Sequence, residues 1–166
     1  MKRRLVTGVL VILATLVALG KTAAQTHPDF SGTWTVDAAK SDPLPPPQAA
    51  GRGAGRGATA IPPNQLVIRQ TADDVSIARG TRNLTYHFDG TETFHFEAGE
   101  VRSTVARDGD KLVVSWKREL FAGPTEGYVT TTGKDVYSLA GSVMTQESST
   151  VSPKGTTRSK TVYNKS

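Results

Sequence analysis

No cysteine occurs in these 166 residues. That absence excludes a disulfide framework, a thiol nucleophile and any Cys-ligated metal centre, so the fold must be held by burial. Aromatic residues are scarce, 7% of the chain with two tryptophans, so the positions of the indoles are informative. The one long apolar run, Leu5–Leu19, falls short of the roughly 20 residues of a membrane span. A Gly-x-Ser-x-Gly nucleophile elbow is absent. A glycine-rich stretch exists, but no strand runs into it and no GK[ST] follows it, which argues against a phosphate loop. After Pro63 the helical period of apolar residues is missing as well.

What is present begins with an address. Lys2, Arg3 and Arg4 precede the apolar run, and Thr22 and Ala24 suit the −3 and −1 subsites of a signal peptidase. Residues 1–24 are expected to be a signal peptide, with export to the periplasm or the medium and no membrane span after cleavage. No cysteine near that point is available for lipid attachment. The formal charge of +5 then loses its meaning: four of the twenty basic residues precede the cleavage point, leaving sixteen against fifteen acidic ones. A nucleic-acid footprint is not expected.

The expected domain spans 25–166. Within it, residues 42–63 hold six prolines around "AAGRGAGRGATA", a composition that buries little and reads as a disordered surface loop. Beyond it, short alternating runs predict strands near Gln65–Gln70, Asp74–Arg79, Asn83–Phe88, Glu92–Glu97, Val101–Arg107, Lys111–Arg118, Glu126–Thr131, Asp135–Leu139, Ser142–Thr150 and Thr156–Tyr163. Turns such as "DGT", "DGDK", "TGKD" and "SPKG" join them at hairpin length. Counting a strand around Trp34, the prediction is an all-β, up-and-down antiparallel meander. Such a meander leaves two exposed edges unless it closes into a barrel. Parity places Leu84, Tyr86, Phe88, Phe94 and Phe96 on one face if the loop between their strands has an odd count. Val101 and Val105 meet Leu112, Val114 and Trp116 if Arg107 pairs with Leu112. Thr85, His87, Thr93, His95, Ser115 and Lys117 fall on the wet face.

"FSGTWTVD", from Phe30, resembles the start of a lipocalin or fatty-acid-binding protein, and "KTVYNK", from Lys160, is similar to the closing strand of the latter. Together they resemble a group of exported bacterial lipocalin-like domains. The resemblance implies a lipocalin-like barrel of about 8–10 strands. It also implies a structural cap of Gly32 and Trp34, with Arg158 or Lys160 stacked over the indole. Two departures are plain: the Pro/Gly/Arg segment stands where portal helices would be, and Thr161 stands where the fatty-acid-holding arginine would be.

Catalytic and metal chemistry find little support. Glu92, Glu97, Glu119 and Glu126 are scattered at predicted strand ends, without the inward pair that glycoside hydrolysis needs. His87 and His95, expected opposite one another, lack the further ligands of a zinc site. No enzyme activity, cofactor or metal is therefore expected. The expected function is binding of a small, largely apolar ligand, lined by Tyr86, Phe94, Phe96, Val105, Trp116, Tyr128 and Tyr163. With Thr161 in the arginine's place, neutral ligands are expected to bind better than fatty acids, Arg107 and Arg118 being the nearest candidate cations. The alternative is a barrel filled by its own side chains, serving as a structural or interaction domain of the envelope.

Overall fold

The computed structural model describes residues 27–43 and 61–166. The expected signal segment and most of the Pro/Gly/Arg segment lie outside the described residues. Ten strands follow in order: β1 (Gly32–Val36), β2 (Gln65–Gln70), β3 (Asp74–Arg79), β4 (Arg82–His87), β5 (Thr93–Phe96), β6 (Glu100–Asp108), β7 (Lys111–Gly123), β8 (Gly127–Ala140), β9 (Val143–Ser152) and β10 (Gly155–Lys165). All ladders are antiparallel, and the sheet order is β4-β3-β2-β1-β10-β9-β8-β7-β6-β5. The chain is an up-and-down meander rolled into a nearly closed barrel. Its seam lies between β4 and β5, where Thr93 Oγ1 donates to the Thr85 carbonyl at 2.7 Å and Arg82 pairs with Glu97.

Alternation along each strand sends one face inward. Trp34, Leu66, Ile68, Val75, Leu112, Met144 and Tyr163 are almost fully buried there. They fill one end of the barrel, where the β2–β3, β6–β7 and β8–β9 turns gather. Arg107 pairs with Leu112 as expected. Its guanidinium stacks 3.6 Å from the Phe88 ring centroid and donates to the carbonyls of Thr71 and Ala72, each at 3.1 Å. The end is closed by these contacts.

Two features differ from the sequence reading. The "TGKD" turn does not form: β8 runs unbroken through it, because Gly133 serves packing rather than turning. Gly133 pairs with Trp116, and a Cβ there would overlap the indole, so the ring lies flat against the bare backbone. The second difference is parity on β5. Its register comes from pairing with β6, not from the loop after β4, so Thr93 and His95 share a face with Ser103 and Val101, which are buried. Phe94 and Phe96 therefore point outward, 55% and 84% exposed. His87, paired with Asp74 on the outer face at 2.5 Å, cannot meet His95.

Candidate site on the inner face of the tall wall

Strand length divides the barrel into two walls. Strands β1 to β5 have four to six residues, whereas β7 and β8 have 13 and 14 and β9 and β10 have 10 and 11. At about 3.3 Å per residue the tall wall rises well beyond the short one. Among the described residues, its upper inner face is left uncovered along β10, while Val101, Ser103 and Thr131 on β6 and β8 are buried. The register row Thr157–Thr150–Gly133–Trp116–Ser103 and the row Ser159–Ser148–Asp135–Val114–Val105 run across it. Thr157 and Ser159 are exposed although they face inward, while Thr161 and Tyr163, one turn of the pleat lower on the same strand, are buried.

Where the open face meets the packed end lies a polar network. Arg79, on the inward face of β3 two residues after Ile77, donates to Gln146 Oε1 at 3.2 Å and to the Tyr163 hydroxyl. Tyr163 donates to the same Gln146 oxygen at 2.9 Å. The Gln146 amide donates to Asp135 Oδ1 at 3.2 Å, which also accepts from the Ser148 hydroxyl. Gln146 is itself buried, and its amide is saturated by partners of both kinds, as a buried polar side chain requires. Burial holds the Tyr163 phenol above its usual range, and does so to Tyr86 as well, pushed up to about 12 with help from the Asp135 charge. Tyr137, fully buried in the same row as Gln146, is raised for the same two reasons. All three phenols stay neutral and keep their hydroxyl hydrogens.

The expected binding residues divide among three places. Tyr86, Val105 and Tyr163 face inward and belong to the packed core. Trp116 faces inward and stays half-buried. Phe94, Phe96 and Tyr128 lie on the outer surface; Tyr128 packs on Phe121 with ring centroids 5.4 Å apart and is 74% exposed. Tyr128 goes outward because it sits an odd number of residues from the inward Gly133. The cap also differs in its cation. Lys165, not Arg158 or Lys160, reaches over Trp34, with Nζ 5.3 Å from the ring centroid. A Cβ on Gly32 would stand 2.8 Å from the Lys165 Cε, so the glycine admits the lysine stem. Trp34 is 1% exposed and donates from Nε1 to the Phe30 carbonyl at 2.9 Å.

Arg158 and Lys160 instead line an outer groove of about 470 Å³ across β8–β10, with Lys134, Val136, Glu147 and Asp42. A second concavity of about 430 Å³ opens beside Asp73, Asp74, His87 and Asp89. Among the described residues no three histidine or carboxylate side chains converge as metal ligands.

Sequence reasoning missed Arg79, Asp135 and Gln146. Arg79 ends a predicted strand in phase with Ile77, a signal that parity alone carried. Compared with known proteins, the chain matches no family model, no curated protein and no solved structure.

Proposed function

We propose that this chain is an exported, non-catalytic binding barrel that takes a small molecule on the open inner face of its tall wall. The observation that carries the reading is the change along β10: inward residues are buried at Thr161 and Tyr163 but exposed at Thr157 and Ser159. A concave, half-walled surface above a packed floor is the usual setting of a small-molecule site at a barrel mouth. The ligand's apolar part rests on the half-buried Trp116, and its polar part meets Asp135 and Arg79. The basic and apolar leader of the sequence supports export. Arg79 changes the expectation about charge, because it supplies the inward cation that Thr161 does not. The test is amide chemical-shift mapping during titration with a small-fragment library. Shifts at Asp135, Gln146, Thr150 and Thr157 are expected; shifts confined to the outer face, or none, would overturn the reading.

One observation favours a second reading, a domain that docks on other proteins. Phe94, Phe96, Phe121 and Tyr128 are all exposed on the outer surface, the last two in contact, and exposed apolar patches mark interaction sites. Light scattering of the wild type against Phe96→Ser tests it: self-association lost in the variant supports it, and a monomer in both removes self-association as its basis.

A further inference from the structure

The chemistry of the open face narrows what it can hold. An apolar ligand laid here would cover Thr150, Thr157, Ser159 and the second Asp135 oxygen without giving them hydrogen bonds, and each polar group desolvated without a partner is destabilising. A simple ion fits no better. Arg79 and Asp135 are held on opposite sides of the Gln146 amide, so their charges oppose each other. Trp116 adds a third requirement. Gly133 lets the indole lie against the β8 backbone, and the ring stays half-buried, with part of it in reach of a ligand. Among the described residues no hydrogen-bond acceptor meets its Nε1.

From these three features we infer that the face binds a polyhydroxylated ring, a saccharide, stacked on Trp116 with its hydroxyl edge toward Asp135, Gln146 and Arg79. A pyranose carries C–H bonds on its faces and hydroxyls around its rim. The C–H face suits an indole, and the rim supplies both donors and acceptors to a wall that offers both. Asp135 Oδ1 is occupied by Gln146 and Ser148, which fixes the carboxylate and leaves its second oxygen to accept from a ligand hydroxyl. The Arg79 guanidinium has nitrogens beyond the one used for Gln146 and Tyr163, and these donate. The inference rests on the proposed binding role of this same face and specifies its ligand.

The test uses the chain without its leader and a panel of glucose, maltotriose, cellotetraose and tri-N-acetylchitotriose, read by tryptophan emission and saturation-transfer NMR. Insoluble cellulose and chitin serve as pull-down arms that separate free from polymeric sugar. At least one saccharide is expected to bind, with transfer to its ring C–H protons. Trp116→Ala and Asp135→Asn are each expected to weaken it about tenfold or more. Asp135→Asn keeps its shape, so it decides the matter if Trp116→Ala fails to fold. Saccharide binding unchanged in both variants would overturn the site. If no sugar binds while 1-anilinonaphthalene-8-sulfonate or methyl octanoate shifts Trp116 emission, the saccharide falls and the binding role stands. If no probe of any class binds, both fall.

Discussion

The two ends of this barrel are built from the same strands, yet they are different materials. At the closed end β10 contributes Thr161, Val162 and Tyr163, all buried; at the open end the same strand contributes Gly155–Lys160, all exposed. Strand alternation is equally regular in both. What differs, among the described residues, is the cover over the strand, present for its lower residues and missing for its upper ones. Burial along β10 thus follows what covers each position, not the pattern of the strand itself. On β6 and β8, Ser103, Val101 and Thr131 stay buried in and above the Thr157 row. The lower end gains stability from packed apolar area, at roughly 25 cal/mol per Å². The upper end gains little, and is free to carry serine, threonine and aspartate instead.

That contrast is sharpest at Trp34. Trp34→Ala is expected to destabilise the fold by about 3–5 kcal/mol in urea melts; a loss below about 1 kcal/mol would mean that the closed end does not rest on its cap. Gly133→Ala comes next. Its new Cβ overlaps the Trp116 indole, and an overpacked position costs about 1–3 kcal/mol. The same variant should move Trp116 emission toward the red as the ring is displaced into water. Unchanged emission would show that the indole does not lie on the glycine.

Arg79→Met sits at the border of the two regions. Removing hydrogen bonds of a partly exposed side chain is expected to cost only about 0.5–1.5 kcal/mol, with the Tyr163 and Gln146 signals shifting in NMR. A larger loss would place Arg79 in the closed end's framework. The smallest effect concerns His95, which burial and then the nearby Arg82 hold below its usual pKa, with Glu97 opposing them. Its inward neighbour across β6 is Arg118. The folded state therefore favours neutral His95, and the unfolded state binds its proton first. Stability is intact above about pH 6.5, the unfolded value, and declines as pH falls through the depressed folded value. His95→Gln should flatten that decline in melts between pH 7.5 and 5, and an identical slope in both proteins would remove His95 as its source.

Much of the architecture was legible in the chain. Nine of the ten strands lie on predicted segments from Gln65 onward, and Gly32 and Trp34 marked the first strand. The hairpin signals "DG" and "PKG" fall on real turns because glycine there adopts positive φ, as at Gly109 (61°) and Gly155 (119°). Gly133 misled because a glycine that leaves room for an indole looks, in sequence, like one that turns a chain. Phe94 and Phe96 misled because parity carries across a loop only when the two strands pair, and β4 and β5 do not form a ladder. Of the site, Trp116 was legible by type and parity. Asp135 was not, since it stood at the edge of a turn that does not exist.

One feature of the sheet bears on how the molecule comes to be. β1 joins β10 through only three register pairs, Trp34 with Lys165, Thr35 with Asn164 and Val36 with Tyr163. Thr35 Oγ1 also meets Ser166 Oγ at 2.6 Å, across 131 residues of chain. β2–β4 and β5–β10 are each a run of neighbouring hairpins that can assemble locally, and β1 joins the first through its ladder with β2. The short β1–β10 ladder is what makes them one sheet, and it carries the largest loop-closure entropy in the molecule. Rolling up is therefore expected to come late, and non-local β pairing of this kind is generally slow, on the order of milliseconds to seconds. One edge of the first strand can pair with β2 early, but the other stays open until β10 arrives.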